Sequence, residues 1–257
     1  MPDPSHRDHV TSLERGLGVM EILAAHPAGL TLTEMADRAR LTRAGARRFL
    51  LTLVATGYAT QSGRVFMLSP RLLGVARNWL QGASLWSFAE PFMREVASRF
   101  DEACSAAVLA EDDVLYVARV PGERRIINVE LHVGTRLPAY WTAMGRVLLS
   151  GLPKSELEAR LAKAEILANT PKTVTDRGKL GEAIERAGRD GFAIIDEELE
   201  IGLRSIAVPI RDRAGKIVAA INVSTQSARF SPGEMERNIL PPLRQAAARI
   251  EDFFVVH

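Results

Sequence analysis

A single helix is predicted for the segment Leu41-Thr-Arg-Ala-Gly-Ala-Arg-Arg-Phe-Leu-Leu-Thr-Leu-Val-Ala-Thr-Gly57. Thr42 is a favourable N-cap, because its hydroxyl can accept a hydrogen bond from a backbone N–H of the first turn. Gly57 occupies the position where a helix commonly ends in a left-handed residue. Apolar residues recur at helical spacing and predict one side that faces a core: Ala46, Phe49, Leu50, Leu53 and Val54.

The opposite side of this helix is small and cationic, and it contains no acidic residue. It consists of Thr42, Arg43, Ala44, Arg47, Arg48 and Thr52. Phosphates and base edges in a DNA groove favour such a surface, so these residues are the candidate DNA contacts. The alternative is an ordinary solvated helix face, which is the usual explanation of a run of charges.

The segments around this helix favour DNA binding. A short second helix is predicted to open at Leu30–Met35, where Thr31 and Glu34 have the spacing of a capping box. After the basic helix, two strand-like runs flank the turn Gln61–Arg64 and predict a hairpin. Short helix, turn, basic helix and hairpin is the order of a winged helix-turn-helix, and Arg64 at the hairpin tip is a further candidate for phosphate contact. The alternative for Arg64 is an exposed tip with an incidental arginine.

Another helix is predicted to precede this pair. Thr11 and Glu14 have capping-box spacing, and an apolar stripe follows with Leu13, Leu17, Met20 and Leu23. Residues 1–10, before this helix, are expected to form a flexible tail.

The charge distribution indicates a polyanionic partner for this part of the chain. The formal net charge of the whole chain is only +2, but residues 38–89 contain no Asp or Glu. The same interval holds eight arginines and no lysine. Its positive charge is not neutralised by neighbours in sequence, as expected of a module that binds double-stranded DNA.

Length and composition indicate an ordinary globular protein of one large or two modest domains, with 257 residues, of which 47% are hydrophobic and 25% charged. Cys104 is the only cysteine, so neither a disulfide within the chain nor a cluster of thiolate ligands is expected, and we predict a buried structural thiol. No metal or cofactor is predicted. The polar start lacks a signal-peptide core and no apolar run approaches membrane length, which predicts a cytoplasmic protein that does not enter a membrane.

An α+β fold with two domains is predicted for the chain as a whole. The expected division is a tail at 1–10, the winged helix-turn-helix at 11–69, a linker helix at 70–83 and a second domain at 84–257. The apolar content of the linker helix indicates packing on a partner chain, with packing on its own domain as the alternative. In the second domain we expect an antiparallel sheet with flanking helices. The predicted helices lie at 87–100, 142–150, 154–161 and 176–190, and the predicted strands at 104–109, 114–120, 126–131, 192–195, 205–210 and 217–224. A final helix is predicted to begin at Ser231, and Pro241-Pro242 should kink it.

Several motifs in the same order resemble the IclR-type bacterial transcription regulators over nearly the full chain. They are Ser12-Leu-Glu-Arg-Gly-Leu17, the 42–57 helix with Tyr58, Leu137-Pro-Ala-Tyr-Trp-Thr-Ala-Met-Gly-Arg-Val-Leu-Leu149, Asp196-Glu-Glu-Leu-Glu-Ile-Gly-Leu-Arg-Ser-Ile-Ala-Val-Pro-Ile210 and Ala219-Ala-Ile-Asn-Val-Ser224. Within that family the chain looks most like regulators of protocatechuate, 4-hydroxybenzoate and β-ketoadipate catabolism. The resemblance implies that residues 84–257 form a GAF-like domain for effector binding and oligomerisation. It also implies homodimers, often paired into tetramers.

The resemblance further implies an effector pocket in the second domain. Mapped onto this sequence, it includes backbone N–H groups of Ala143 and Met144, side chains of Ser205, Asn222 and Ser224, and the neighbouring Asp196. A helix N-terminus near Thr142 suits a carboxylate, so a small carboxylate effector, with an aromatic acid as one type, is expected. The alternative is that these side chains only satisfy buried backbone groups.

Two larger side chains complete the candidate pocket. Trp141 is expected either to stack on an aromatic ring or to fill core. Arg204 is expected either to pair with the effector carboxylate or to hold a structural acid, with Glu197 and Glu198 as the candidates.

Three functions compete at this stage. The leading one is a ligand-responsive DNA-binding regulator. An enzyme that uses the second domain is disfavoured, since the sequence has no Gly-x-Ser-x-Gly, phosphate-loop or His-Glu-x-x-His motif. An architectural DNA-binding protein without a ligand is mildly disfavoured by the polar pair Asn222 and Ser224 in an otherwise apolar strand.

Overall fold

The computed structural model describes residues 9–75, 84–122 and 131–256. The chain divides into two compact units, residues 1–82 and 83–257. Within the described ranges, no helix is long and apolar enough to cross a membrane.

The first unit is a winged helix-turn-helix, as predicted. Its elements are α1 (Thr11–Ala24), β1 (Leu30–Thr31), α2 (Leu32–Arg38), α3 (Arg43–Ala55), β2 (Ala59–Ser62) and β3 (Val65–Leu68), followed by helical residues at 71–75 (α4). The three strands form an antiparallel sheet in the order β1-β3-β2.

Local hydrogen bonds explain why α2 and α3 begin where they do. Thr31 and Glu34 form the predicted capping box, with the Thr31 N–H donating to Glu34 Oε2 over 2.8 Å. The Thr42 hydroxyl accepts a hydrogen bond from the Gly45 N–H at 3.1 Å, which caps α3. Gly57 follows the end of α3 with a φ of 78°, a conformation that favours glycine.

Helix α1 differs from the sequence prediction in two respects. Thr11 does not cap α1, because the helix already includes it; the N-cap position is Val10, with no side-chain hydrogen bond. The predicted apolar stripe of α1 does not face the core as a whole. Leu23 is buried beside Val19, whereas Leu13 and Leu17 are 61% and 47% exposed.

The wing also contains a strand that the sequence reasoning missed. Leu30–Thr31 was predicted as the opening of a helix, but these two residues pair with Val65 and Phe66 of β3 before α2 begins. The capping hydrogen bonds allow this, since an N-cap residue has an extended backbone, and Thr31 has a ψ of 162°.

The second unit combines helices with one antiparallel sheet, which confirms the α+β prediction. Its elements are α5 (Ser84–Phe100), β4 (Ala103–Ala110), β5 (Asp113–Val120), β6 (Arg136–Pro138), a 3₁₀ turn (Ala139–Trp141), α6 (Ala143–Leu149), α7 (Lys154–Lys163), α8 (Arg177–Asp190), β7 (Ala193–Asp196), β8 (Leu203–Arg211), β9 (Ile217–Gln226), α9 (Pro232–Glu234), a π-helical turn (Met235–Ile239), α10 (Leu240–Glu251) and α11 (Phe253–Val256). The six strands lie in the order β6-β5-β4-β9-β8-β7.

The two faces of this sheet are covered by different helices. Ala107, Ala207 and Ala220 share a buried cluster with residues of α6 and α8, so their side of the sheet is called the α6 face. Side chains alternate along a strand, so Ile206, Ile221 and Val223 point to the other side. There α10 packs on β8 and β9 and contacts α5, and this side is called the α10 face.

A buried ion pair attaches α6 to the loop between β7 and β8. Arg146 Nη2 lies 2.6 Å from Glu198 Oε2, and both side chains are at most 10% exposed. The same carboxylate accepts a hydrogen bond from the Val174 N–H at 3.1 Å. Removing one partner of such a pair leaves a buried charge, which typically costs about 3–5 kcal/mol.

Four further sequence predictions are resolved or limited by the structure. At the predicted kink site Pro241-Pro242, a π-helical turn lies just before α10, and it widens the helix where each proline ring would meet the carbonyl four residues earlier. The strand predicted at 126–131 lies almost entirely outside the described residues. The same holds for the linker helix beyond residue 75 and for residues 1–8 of the predicted tail.

The contact between α6 and the 3₁₀ turn yields a stability prediction. A Cβ at Gly145 would lie 2.0 Å from the Ala139 carbonyl oxygen, whereas one at Gly181 of α8 would lie 3.6 Å from Leu161 Cδ1. We expect Gly145→Ala to lower the free energy of unfolding by about 1–3 kcal/mol through overpacking. Gly181→Ala, the matched control, should leave it unchanged or raise it by up to about 1 kcal/mol. Urea denaturation followed by circular dichroism measures both, and equal midpoints would contradict the close packing of α6.

Candidate DNA-binding and effector sites

The predicted DNA-contacting residues are exposed on one side of α3 and at the tip of the wing. Ala46 and Leu50 are fully buried on the inner side of α3. The outer residues are all exposed: Thr42, Arg43, Ala44, Arg47, Arg48, Thr52 and Arg64.

Hydrogen bonds separate these residues into fixed and available ones. Arg43 Nη2 donates to Thr33 Oγ1 and so ties α3 to α2. The Thr52 hydroxyl donates to the Arg48 carbonyl oxygen at 2.8 Å and is therefore engaged within its own helix. Within the described part of the chain, the guanidinium groups of Arg47, Arg48 and Arg64 have no hydrogen-bond or carboxylate partner, and they remain available to phosphates and base edges.

In the second unit, polar side chains form a line across four strands on the α6 face of the sheet. This polar row consists of Arg119 on β5, Ser105 on β4, Asn222 and Ser224 on β9, and Ser205 on β8. The strand register produces it, since Ser105 lies opposite both Arg119 and Asn222, and Ser205 lies opposite Ser224.

The members of the polar row are hydrogen-bonded to one another. The hydroxyl oxygens of Ser205 and Ser224 are 2.8 Å apart, and Asn222 Nδ2 donates to Ser224 Oγ at 3.0 Å. At the other end, Arg119 Nη1 donates to Ser105 Oγ at 3.2 Å. Asn222 and Ser105 are only 3% and 2% exposed, so the row runs through the interior.

Two polar atoms near this row have no partner among the described residues. Asn222 Oδ1 and Trp141 Nε1 are buried and form no hydrogen bond there. Most buried polar atoms in proteins are hydrogen-bonded, and leaving one unpaired costs about 1–3 kcal/mol. The amide oxygen therefore has an unused acceptor, and the indole N–H is an unused donor, among the described residues.

The start of α6 lies on the same side of the sheet. Thr142 caps this helix, with its hydroxyl accepting the Gly145 N–H at 2.9 Å. Ala143 and Met144 are buried beneath the cap, in the same cluster as Ala207 and Ala220, with Trp141 packed against it. The structure therefore places six of the predicted effector residues on the α6 side of the sheet: Trp141, Ala143, Met144, Ser205, Asn222 and Ser224.

Asp196 and Arg204 require a correction. They are Cα partners across β7 and β8, and they point to the α10 face, because their neighbours Ile195 and Ser205 point to the α6 face. Arg204 Nε donates to Asp196 Oδ1 at 2.7 Å, and its Nη1 donates to the carbonyl oxygens of Ser227 and Phe230. Arg204 does hold a structural acid, but that acid is Asp196 and neither Glu197 nor Glu198.

Arg119 and Ser105 were missed by the sequence reasoning. A β-bulge explains why Arg119 was hard to find: Ala106 pairs with Ala118, but Ala107 pairs with Tyr116, so Val117 is an extra residue. Tyr116 and Arg119 consequently point to the same face although they are three residues apart. Burial raises the pKa of Tyr116 to about 12, and the positive charge of Arg119 acts in the opposite direction.

Cys104 is the buried thiol that the sequence predicted. It is fully inaccessible, and burial raises its pKa to about 12. The thiolate is the reactive form of cysteine, so Cys104 is unsuited to be a nucleophile at neutral pH.

Comparison with known families matches both units. Residues 12–63 match the IclR helix-turn-helix domain, and residues 78–252 match the bacterial transcriptional regulator IclR C-terminal domain. The chain belongs to the IclR family. It is therefore a transcription regulator with a helix-turn-helix DNA-binding domain, as the sequence motifs predicted.

Individual relatives of this IclR-family regulator agree with that assignment. It is 40% identical to the Pca regulon regulatory protein of Pseudomonas putida over 240 residues, 93% of this chain and 82% of that protein. It is 31% identical to the p-hydroxybenzoate hydroxylase transcriptional activator of Acinetobacter baylyi over 249 residues, 95% of this chain and 92% of that protein. These relatives are named as regulators, which decides against the enzyme alternative.

A solved structure supports the fold of the whole regulator. The IclR homologue of Microbacterium hydrocarbonoxydans complexed with 4-hydroxybenzoate superposes with a TM-score of 0.82 and 27% sequence identity. The match covers 96% of this chain and all of that chain (100%).

The free arginines of α3 yield a prediction about DNA binding. We expect Arg47→Ala to weaken binding to the promoter DNA beside the regulator's own gene by about 1–3 kcal/mol if Arg47 reads a base. If it contacts a phosphate, the slope of log affinity against log salt should become shallower by about 0.9 per lost contact. Band shifts at several salt concentrations measure both effects. Arg186→Ala removes the same charge from an exposed position on α8 and serves as the control. Unchanged binding by the Arg47 variant would refute the orientation assigned to α3.

Proposed function

We propose that this IclR-family protein is a cytoplasmic regulator whose DNA binding responds to a small carboxylate effector, with aromatic acids as the favoured class. The observation that carries the proposal is the buried polar row with the unpaired Asn222 Oδ1 on the α6 face. A purely architectural protein has no need for such a row, because an apolar interior of the same shape would be at least as stable. The names of the relatives, among them an activator of p-hydroxybenzoate hydroxylase and a homologue complexed with 4-hydroxybenzoate, support aromatic acids.

Six side chains or backbone groups are proposed to contact the effector. Asn222, Ser224 and Ser205 offer hydrogen bonds from the sheet, and Trp141 offers an indole N–H and a flat apolar surface. Ala143 and Met144 offer backbone N–H groups at the start of α6. Asp196 and Arg204 are left out, because they bind each other on the opposite face.

A thermal-shift panel of small carboxylic acids tests the proposal directly. A ligand that binds only the folded protein raises its stability by about 2.7 kcal/mol at one hundred times its dissociation constant. We expect 4-hydroxybenzoate or a related acid to raise the melting temperature. A panel without any stabilising acid would refute the effector class.

Asn222→Leu separates ligand binding from folding. This substitution removes the unpaired acceptor, and we expect it to lower the affinity for the stabilising acid by at least about tenfold while operator binding stays intact. Gln226→Leu, on the same strand but exposed, is the matched control. If the Asn222 variant lost operator binding together with ligand binding, a role in folding would replace the proposed one.

A homodimer is proposed as the form that binds DNA. Exposed apolar side chains support it: Val10, Leu13 and Leu17 are 57%, 61% and 47% exposed, and Leu73 and Val75 in α4 are 71% and 51% exposed. These residues lie in or next to the first and the last helix of the first unit. A second copy that covered them would stabilise the dimer by about 25 cal/mol per Å² of apolar area buried. Two recognition helices would then read successive half-sites of a pseudo-palindrome, with effector binding changing their spacing through residues 70–83.

Leu17→Glu tests this interface. A charge in an apolar contact is costly to bury, so we expect the variant to sediment at a lower mass than the wild-type protein and to bind the operator more weakly. Leu167→Glu, which alters a 58% exposed leucine in the second unit, is the control. Wild-type assembly in the Leu17 variant would exclude α1 from the interface, and the wild-type mass itself distinguishes a dimer from a tetramer.

A further inference from the structure

Arg119 differs from the other inward-pointing arginines of the second unit in having no acid beside it among the described residues. Arg146 pairs with Glu198, Arg204 with Asp196, and Arg229 with Glu102. Arg119 is partly buried, and its only hydrogen bond to a described residue goes to the neutral hydroxyl of Ser105. A guanidinium has five N–H donors, so the described residues use only a small part of its capacity.

The surroundings of Arg119 make its charge costly. Burial lowers the pKa of this guanidinium from its ordinary value, but arginine stays protonated at any physiological pH. The neighbour Tyr116 is itself buried and neutral at physiological pH. A buried charge is tolerated when it is paired, and a guanidinium pairs best with a planar oxyanion that accepts two parallel hydrogen bonds.

We propose that Arg119 binds the carboxylate of the effector, with Ser105 holding the guanidinium in position. This inference rests on the proposed function and names the residue that makes the polar row selective for acids. Arg119 and Asn222 flank Ser105 on the two neighbouring strands, so their Cα atoms are separated by about two strand spacings, or about 10 Å. The long arginine side chain bridges part of that distance, as its contact with Ser105 shows.

The geometry also defines the chemical class of the effector. A single guanidinium without a second cation in the polar row favours a monoanion such as a carboxylate over a phosphate. Beyond Ser105 in the row, Asn222 Oδ1 accepts a hydrogen bond from a hydroxyl of the effector. A hydroxylated carboxylic acid satisfies both Arg119 and Asn222 at once, which neither an unsubstituted hydrocarbon acid nor a neutral phenol does.

Acid and amide pairs isolate the contribution of the charge. The probes are 4-hydroxybenzoate with 4-hydroxybenzamide, 3-hydroxybenzoate with 3-hydroxybenzamide, and benzoate with benzamide, measured by titration calorimetry on the full-length protein. We expect the wild-type protein to bind at least one acid about 10- to 100-fold more tightly than its amide, the range typical of a hydrogen bond to a charged group. Arg119→Gln should reduce this preference to less than about threefold. Arg119→Lys should retain a preference for the acid with weaker binding, since it keeps the charge and loses the paired donors.

Arg186→Gln, at an exposed position on α8, is the control and should retain the wild-type ratio. Three results would overturn the inference alone: an unchanged ratio in Arg119→Gln, an equal loss of acid and amide binding in that variant, or a neutral-like ratio in a folded Arg119→Lys. Circular dichroism and operator binding establish whether each variant is folded. If Arg119→Gln does not fold, the acid-to-amide ratio of Arg119→Lys provides the test. If the wild-type protein bound none of the acids, the proposed effector class would fall as well, so the two failures are distinguishable.

Discussion

The antiparallel register of β4, β9 and β8 determines which side chains meet inside the second unit. Because successive residues of a strand point to opposite faces, Ser205 and Arg204 are separated by the thickness of the sheet although they are adjacent in sequence. The same alternation places Ser105, Asn222 and Ser224 on one side, beneath α6, and Asp196 on the other. A shift of one residue in this register would exchange the two sets and expose the apolar core, so the packing of α6 and α10 fixes the polar row as firmly as it fixes the core.

Local sequence signals sufficed for most of the fold. The caps at Thr31 and Thr42 and the left-handed Gly57 follow from the chemistry of helix ends, and the structure has all three. The signals failed at the start of α1 and at Leu30–Thr31. Thr11 and Glu14 have the right spacing for a capping box, but the helix begins one residue earlier, and Leu30–Thr31 becomes a strand only because β3 lies beside it.

In the candidate site, too, some residues could be predicted from local sequence and others could not. Asn222 and Ser224 were found because two polar residues at strand spacing are conspicuous in an apolar run. The error with Asp196 and Arg204 was avoidable, since alternation within a strand already separates Arg204 from Ser205. The position of Arg119 could not be predicted in the same way. Its place beside Ser105 depends on which strands pair, and the face of the sheet to which its side chain points depends on a bulge. In the first unit, the sequence identified the cationic side of α3 but not the bond from Arg43 to Thr33, which joins two helices across a turn.

The bulge at Val117 has a consequence for how such a pocket can change over evolution. A bulge takes up one extra residue locally, so the strand before and after it keeps its facing. Loss of Val117 would leave Tyr116 and Arg119 two residues apart, and both would still point beneath α6. Elsewhere in β4, β8 or β9, a one-residue insertion or deletion would turn the rest of the strand inside out. We therefore expect length differences among relatives to be tolerated at this point of β5. There the loss of Val117 would leave Arg119 opposite Ser105, so the polar row and the sheet would both stay intact.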